Sequence, residues 1–186
     1  MPPKTRIGKE EIADAAFGLI RKKGQAALTA KSLAAELKCS TQPVFWHFEN
    51  MDEVKDCALK RAEDYFAEYL KKETSADNPY KSIGLNYIAF ATEEKQLFRL
   101  LYMSDKGGKP DIMQWDGNRP FILGVMEKSG IKGDEAREKI FREMWLFSHG
   151  IATMIATDTA FFGKDEIDSM LSDVYQGLVL KLKNDN

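Results

Sequence analysis

Residues 28–55 read LTAKSLAAELKCSTQPVFWHFENMDEVK, and this stretch contains the most informative capping and turn signals of the chain. Thr29 is a favourable N-cap for a short helix over 30–37, in which apolar residues recur at helical spacing. Ser40 can cap a second short helix over 41–47, which has a proline in its first turn, where the missing N–H has no intrahelical partner to lose. Because two helices joined by about three residues are typical of a helix-turn-helix unit, we predict such a unit here.

The flanking sequence also has helical patterns. Apolar residues at helical spacing, followed by Gly24 as a stop signal, predict an amphipathic helix over 9–23. A long helix is predicted over 51–73, with acidic residues in its first turn that favour the helix dipole. The alternation of β-branched residues that is typical of strands is missing. We therefore predict an all-α fold, with an N-terminal three-helix helix-turn-helix head and a helical domain after it.

Charge is unevenly distributed over the 186 residues, whose net charge is −2. Residues 1–48 carry eight basic and four acidic side chains, a net charge of +4, whereas 49–186 carry 19 basic and 25 acidic ones, a net charge of −6. A basic N-terminal segment on an acidic remainder suggests that the two parts have different roles, although a solvated surface would give the same charge.

Several classes of protein are excluded by composition and pattern. No apolar run approaches the roughly 20 residues that span a bilayer, and the N-terminus lacks the apolar core of a signal peptide, so we expect a cytoplasmic protein. Cys39 and Cys57 have no paired spacing that would indicate a disulfide framework or a zinc site. No phosphate loop, nucleophile elbow or metal-spaced cluster occurs, so we predict no enzyme activity, no cofactor and no metal.

The 28–55 stretch resembles the helix-turn-helix of the tetracycline-repressor (TetR) family of bacterial transcriptional regulators. The features that carry the resemblance agree in order and spacing within residues 9–60, about a quarter of the chain; they are Ala15-Ala16, Gly24, Thr29, Leu33-Ala34, Phe45-Trp46-His47-Phe48, Asn50 and an acidic first turn after it. The resemblance implies a DNA-binding domain over 1–50, with its helix-turn-helix at about 29–48. It also implies an effector-binding and dimerisation domain over 51–186, to which helix 51–73 is the connector.

The second short helix has the residues of a DNA reader at its N-terminal turn. Ser40, Thr41, Gln42 and Pro43 present small polar groups and a flat ring to base edges in the major groove. Gln42 can pair with adenine, and Thr41 or Pro43 can pack on a thymine methyl group. Val44 and Phe48 are expected in the core instead, where they would hold this helix on its scaffold.

Further DNA contacts are implied by the resemblance. It places a base or phosphate contact at Lys31, and phosphate contacts at Thr29, Trp46, His47 and the N-terminus of helix 51–73. His47 could equally be a structural hydrogen-bonder, and Trp46 could be a core residue instead. The cluster Arg21-Lys22-Lys23 could contact phosphate or be solvated surface.

Two of the positions at which the TetR family contacts phosphate depart from the family pattern. Phe45 stands where the family usually has Tyr, and Met51 stands where it usually has Lys, so two phosphate-contacting groups are missing. We expect a shallower salt dependence of DNA binding, by about 0.9 in slope for each lost contact.

The C-terminal part has broad apolar stripes. Residues 164–183 form one amphipathic helix, and 134–160 form another whose apolar residues cover more than one face. The resemblance implies that these two helices form a four-helix bundle with the same pair of a second subunit, although intrachain core would use part of both stripes. The predicted dimer contacts are Met170, Leu171, Val174 and Leu178.

A ligand pocket is predicted from large, adaptable apolar side chains between the head and these helices. Residues 104–119 hold three glycines and one proline and are interpreted as a loop or lid. The candidate ligand-binding residues are Phe98, Tyr102, Trp115, Phe121, Trp145 and His149. Each of them could be ordinary core instead, and His149 could be a buried histidine bonded to a carbonyl.

These expectations converge on a ligand-responsive, sequence-specific transcriptional regulator. We expect a homodimeric repressor that binds a palindromic double-stranded operator, because one short recognition helix reads few base pairs. A small-molecule effector would release it by binding better to the conformation whose heads are wrongly spaced. The alternative is a TetR-like protein-interaction adaptor that has lost operator binding, as Phe45 and Met51 suggest.

Overall fold

The computed structural model describes residues 7–74, 76, 78–104 and 117–184. These residues form eight α-helices and two 3₁₀ turns, and they contain no strand, so the predicted all-α class is confirmed. In chain order the helices are α1 (Lys9–Lys23), α2 (Ala30–Glu36), α3 (Met51–Leu70), α4 (Pro79–Glu93), α5 (Lys95–Tyr102), α6 (Arg119–Lys128), α7 (Asp134–Ala156) and α8 (Lys164–Asn184), and the 3₁₀ turns are Gln25–Ala27 and Val44–Trp46.

The chain divides into two compact units. The first, called the head unit, comprises Met1–Phe66 and Glu94–Ser104; the second, called the body unit, comprises Ala67–Glu93 and Asp105–Asn186. Helix α5 therefore packs with residues that precede it by many positions in the chain. The predicted division into functional domains, 1–50 and 51–186, remains a prediction, since compactness does not assign function.

Local signals in the sequence placed the first two helices correctly. Helix α2 begins with a capping box, in which the backbone N–H of Ser32 donates to Thr29 Oγ1 over 3.1 Å and that of Thr29 donates to Ser32 Oγ over 3.0 Å. Helix α1 ends at Lys23 and is capped by Gly24, whose N–H donates to the carbonyl of Ile20 over 2.7 Å. At each of these two helix ends, neighbouring residues supply hydrogen-bond partners for backbone groups that have none within the helix. Such an end can therefore be predicted from the local sequence.

The α-helix predicted over 41–47 is wrong, because this segment is the 3₁₀ turn Val44–Trp46. The N–H groups of Val44 and His47 donate to carbonyls three positions earlier, at 3.2 Å each. Helix α2 is equally short but begins with a capping box, whereas this segment has no side-chain cap to offset the cost of nucleating an α-helix. Short 3₁₀ turns are common in such connecting segments.

The long helices that had a predicted range differ from it only at the C-terminal end, whereas no range was predicted for α4, α5 or α6. Helix α3 ends at Leu70 rather than at residue 73, because the next two N–H groups bond three residues back and tighten the turn. Helix α7 ends at Ala156 rather than at residue 160, with Thr157 Oγ1 bonded to the carbonyl of Thr153 over 2.8 Å. Of the loop or lid predicted over 104–119, residues 105–116 lie outside the described residues.

The head unit has a continuous apolar core. Helix α1 buries one face, and Val44 and Phe48 are buried, as expected. Helix α5 buries four of its apolar side chains, and the Phe98 ring lies 5.1 Å from that of Tyr102. At the surface of this unit the guanidinium of Arg21 on α1 binds the carboxylate of Glu94, with 2.7 Å from Nε to Oε2, and this hydrogen bond raises the pKa of Arg21.

The body unit is built on α4, α7 and α8. Helices α4 and α8 approach closely at Gly84, where a Cβ atom would lie 3.4 Å from both terminal methyl groups of Leu171. Across the same helices Lys81 Nζ binds Asp168 Oδ2 over 2.6 Å. None of the described helices is long and apolar enough to cross a membrane.

Candidate functional site

The turn between α2 and the 3₁₀ segment presents polar groups to solvent. Ser40, Thr41 and Gln42 are exposed, and they lie shortly before the buried Val44. Pro43 is the N-cap of the 3₁₀ turn and is half-buried. This segment therefore displays side chains with hydrogen-bond donors and acceptors on a local scaffold anchored by an apolar side chain.

Two aromatic rings of the same segment are exposed rather than buried. Phe45 is 45% exposed and Trp46 is 63% exposed. The exposure excludes a core role for Trp46 and leaves its indole N–H accessible to an acceptor such as a phosphate oxygen. Phe45 offers a bare apolar ring at the same surface, which can pack on a sugar or a methyl group but cannot donate a hydrogen bond.

His47 is tied to the backbone in front of α1. Its Nε2 lies 2.9 Å from the carbonyl oxygen of Ile7 and must donate, because a carbonyl only accepts. A neutral imidazole has a single N–H, so this bond uses it. His47 therefore makes the structural hydrogen bond that was one of its two expected roles. A simultaneous hydrogen bond to phosphate would need a second ring N–H, which only a protonated imidazole has.

The N-terminus of α3 already has a side-chain cap. Asn50 Oδ1 accepts from the backbone N–H groups of Asp52 and Glu53, at 3.0 Å each. Two of the N–H groups that we expected to meet phosphate are thus bonded within the chain. A phosphate could bind these two N–H groups only after displacing the side chain of Asn50.

Ion pairing distinguishes the cations of the head unit. Lys22 lies 3.7 Å from Glu36, and Arg21 binds Glu94, so two members of the basic cluster have partners within the unit. Lys31 and Lys38 are exposed and have no ion-pair partner among the described residues. These two are the cations nearest in sequence to the exposed turn that are free to meet an anion.

Lys38 is a candidate that the sequence reasoning missed. It has a positive φ of 52° at the end of α2, where the N–H of Cys39 donates to the carbonyl of Ala34 over 3.0 Å and that of Lys38 to Ala35 over 3.2 Å. This pattern is a Schellman motif, whose left-handed position usually holds Gly. No glycine marks the position in the sequence, so only the fold shows that an exposed lysine stands in the turn.

The body unit contains a cavity of about 240 Å³ between α4, α6, α7 and α8. Its wall is mostly apolar and aromatic, with polar side chains near the N-terminal end of α4 and on α8. The lining residues are Asn78, Tyr80, Lys81, Ile83, Gly84, Tyr87, Ile122, Phe141, Met144, Trp145, Ser148, Leu171, Ser172, Tyr175 and Gln176. Burial raises the pKa of the Tyr80 phenol, which keeps that group neutral.

Two of the predicted ligand residues belong to this region. Trp145 lines the cavity, and its buried Nε1 has no hydrogen-bond partner among the described residues. His149 does not line it, but its ring stacks on Trp145 at 4.6 Å, and its Nδ1 lies 2.8 Å from the hydroxyl of Tyr87, which does. Burial lowers the pKa of His149, so the imidazole is neutral at pH 7.

The other predicted ligand residues lie elsewhere. Phe98 and Tyr102 are in the head unit, and Phe121 is partly exposed on α6, with Lys71 Nζ 5.9 Å from its ring centroid. Trp115 lies outside the described residues. Sequence reasoning missed Tyr80 and Tyr175, whose rings are 5.7 Å apart, because helical periodicity identifies an apolar face without identifying its partner.

Of the four predicted dimer residues, one is buried within the chain and three are half-buried. Leu171 is buried against Gly84 and lines the cavity, so its side chain is used within the chain. Met170, Val174 and Leu178 are half-buried on α8. Leu180 on α8 and Leu146 on α7 were not predicted, and they are 60% and 53% exposed, which leaves apolar surface on both C-terminal helices.

Comparison with known proteins identifies the fold. No family model matches the sequence, and no curated protein matches it either. Among solved structures, a TetR family protein from Vibrio parahaemolyticus has a TM-score of 0.66 at 14% identity, over 90% of this chain and 96% of that one. A TetR family member from Streptomyces coelicolor A3 has a TM-score of 0.59 at 16% identity, over 91% and 98% of the two chains.

A third similar structure was solved with a small molecule. It is a TetR variant from Acinetobacter baumannii AYE in complex with minocycline, with a TM-score of 0.57 at 18% identity over 95% of this chain and 97% of that one. All three likenesses span nearly the whole of both chains. The chain therefore has the fold of TetR-family proteins, as the resemblance of residues 28–55 implies.

Proposed function

We propose that this protein is a sequence-specific DNA-binding transcriptional regulator. One observation carries the proposal: the exposed polar residues Ser40, Thr41 and Gln42 stand on a turn anchored by buried Val44 and Phe48, in a fold shared with TetR-family proteins. Polar side chains held rigidly at a convex surface can reach base edges in the major groove. Thr29, Lys31, Pro43, Phe45 and Trp46 would extend this surface to the sugar-phosphate backbone.

Regulation by a small molecule is the second part of the proposal. The body unit has an apolar cavity with a few polar groups, which is the usual composition of a ligand site. Helix α3 carries the chain from the head unit into the body unit after Phe66, and Glu94 returns it to the head unit. An effector that binds better to one conformation of the cavity would shift the DNA-binding equilibrium through these segments and release a repressor from its operator.

DNA binding can be tested by selection from random oligonucleotides, followed by two alanine substitutions. We expect Gln42→Ala to lower the affinity for the selected site by about 5- to 150-fold and to relax the preference at one base pair, because a bidentate base contact contributes about 1–3 kcal/mol. Lys31→Ala should weaken binding to every sequence and reduce the salt slope by about 0.9. Binding isotherms at several salt concentrations measure both effects.

A matched control removes a cation from the other unit. Lys181→Ala changes the net charge as Lys31→Ala does, but Lys181 is exposed on α8, so the affinity should change little. If Gln42→Ala and Lys31→Ala both retain the affinity and sequence preference of the unmodified protein, the assignment of this surface is wrong.

A homodimer is the third part of the proposal, since a palindromic operator needs two heads. Leu146 and Leu180 are more than half exposed, and Met170, Val174 and Leu178 lie half-buried on the same helix as Leu180. We expect Leu146→Glu with Leu180→Glu to convert a dimer to a monomer in sedimentation equilibrium, because two carboxylates would be buried in an apolar interface.

The control for the dimer test is Met103→Glu, which places the same charge on an exposed apolar position of the head unit and should leave the dimer intact. Circular dichroism verifies that each variant keeps its helices. A Leu146→Glu, Leu180→Glu protein that still sediments as a dimer would show that these two positions lie outside the interface.

The exposed rings of Phe45 and Trp46 favour a second candidate, a protein-interaction adaptor. Two neighbouring apolar rings at the surface can bind a protein partner as well as a nucleic acid. The oligonucleotide selection distinguishes the candidates, because an adaptor would enrich no sequence even at low salt.

A further inference from the structure

The inner wall of the body-unit cavity is mostly apolar and aromatic, with the Ser148 hydroxyl as one of its few polar groups. Tyr87, Phe141, Met144 and Trp145 are all buried and line it, together with Leu171. No aspartate or glutamate is among its lining residues in the described part of the chain. A ligand inside this wall would therefore exchange water for carbon and ring surfaces and would find no negative charge.

Ser148 and the phenols Tyr80 and Tyr87 are polar lining residues that are buried, whereas the other polar side chains of the cavity are less buried. Asn78, Lys81 and Ser172 are half-exposed, and Gln176 is exposed, so they form the mouth. Lys81 carries the only formal charge among the described lining residues, and Asp168, 2.6 Å from its ammonium group, lies outside the lining. The ion pair leaves the mouth close to neutral, with amide and hydroxyl groups available for hydrogen bonds.

Charge balance discriminates between ligand classes. A cation would gain from the aromatic faces, but it would lose its hydration in a wall that has no carboxylate among its described lining residues. An anion could reach Lys81 only in competition with Asp168, which is already bound to it. A neutral molecule meets neither cost, and its apolar part is stabilised by burial.

The volume sets the size of the ligand. Cavities that enclose drug-sized molecules hold about 300–1,000 Å³, and this one holds about 240 Å³. A single aromatic ring with a short substituent fits that space. A flat ring can also lie edge-to-face against Tyr87 and Trp145, whose own rings are in an edge-to-face arrangement at 6.4 Å.

We propose that this cavity binds a small neutral aromatic molecule, with its apolar end against the buried wall and any hydrogen-bonding group at the mouth near Lys81 and Gln176. This inference specifies the ligand class of the proposed regulator. It rests on the proposed function only in the claim that ligand binding regulates DNA binding. The ligand class follows from the lining residues, the cavity volume and the Lys81–Asp168 ion pair.

Two isosteric pairs of probes test the charge preference on the full chain. tert-Butylbenzene and phenyltrimethylammonium differ only in replacing a quaternary carbon by a charged nitrogen, and nitrobenzene and benzoate have the same shape with and without a negative charge. The methyl signal of Met144, which lines the cavity, reports binding at this site in NMR titrations. We expect each neutral probe to bind at least about tenfold more tightly than its charged isostere.

A pair of variants locates the binding. Ser172→Trp fills the mouth at a half-exposed position and should abolish the Met144 shift, whereas Ser169→Trp makes the same change at an exposed position of α8 outside the lining and should preserve it. Circular dichroism confirms that both variants fold. If Ser172→Trp fails to fold, Lys81→Met provides the second variant, and the preference for neutral probes should persist in it.

Three results would overturn the proposal. Tighter binding of phenyltrimethylammonium would identify an aromatic cage for a cation, tighter binding of benzoate that is lost in Lys81→Met would identify a carboxylate site, and the absence of any Met144 shift with neutral probes would show that the cavity binds none of them. Operator binding is measured separately on the same samples. Neutral probes that saturate the cavity without changing operator affinity would support the ligand class and contradict the effector role.

Discussion

Replacement of Phe98 by alanine should lower the free energy of unfolding by about 3–5 kcal/mol, the range for truncating a buried phenylalanine. Phe98 is fully buried in the head unit, and its ring contacts that of Tyr102, which in turn lies 5.6 Å from Phe66. Removing the ring leaves a cavity among apolar groups that are held by several helices and that cannot collapse fully. Urea unfolding of the full chain, followed by circular dichroism, measures the change.

The same substitution at an exposed phenylalanine provides the control. Phe161 is 85% exposed, so Phe161→Ala should change the free energy of unfolding by less than about 0.5 kcal/mol. The comparison also separates two roles for Phe98, which the sequence suggested as a ligand contact. A Phe98→Ala protein with unchanged stability and impaired ligand binding would restore that role and contradict the structural assignment.

Replacement of Gly24 by alanine is expected to cost about 1–3 kcal/mol, because two unfavourable effects coincide there. The backbone has φ 84° and ψ 167°, a combination that is nearly confined to glycine. A Cβ atom would also lie 2.7 Å from Gln96 Oε1 on α5, so the glutamine side chain would have to move. The decrease in thermal midpoint, measured by calorimetry, reports the sum of both effects.

A second glycine on α1 has the opposite expectation. Gly18 lies inside the helix, and a Cβ atom added there would meet no other part of the described chain within 4 Å. Gly18→Ala should therefore raise stability by about 0.5–1 kcal/mol through helix propensity. Adding Gln96→Ala to Gly24→Ala should recover only the part of the lost stability that is due to the clash with the glutamine side chain. Equal effects of Gly18→Ala and Gly24→Ala would show that Gly24 has no special conformational role.

Local signals predicted most helices and the candidate DNA-binding turn. The N-cap at Thr29, the glycine stop at position 24 and the 3.6-residue period of α8 are properties of a few neighbouring residues, so they are visible in one dimension. The predicted α-helix over 41–47 was wrong because the cap expected at Ser40 does not form, and the 3₁₀ turn there begins after Pro43 without a side-chain cap. Packing of Val44 and Phe48 into the head unit holds that turn instead.

The candidate ligand site was predicted less well. Aromatic side chains identify residues that prefer burial, but burial in a core and burial around a cavity have the same signature in the sequence. Phe98 and Trp145 illustrate the difficulty, since the first is in the core of the head unit and the second lines the cavity of the body unit. Lys38 shows the same limit for a backbone conformation, because its positive φ has no glycine to mark it.

The all-α class, the helix-turn-helix stretch and the polar set at 40–42 could be predicted from the amino-acid sequence, because each depends on caps, periodicity and turn residues within a few positions. Only the packing of the helices shows that α5 belongs to the head unit, that Arg21 binds Glu94, and that Tyr80, Tyr175 and Leu171 share one cavity. The physical reason is that burial acts on surface area without regard to distance along the chain. The sequence therefore shows that an apolar face must be buried, but only the packing of all the helices shows which residues bury it.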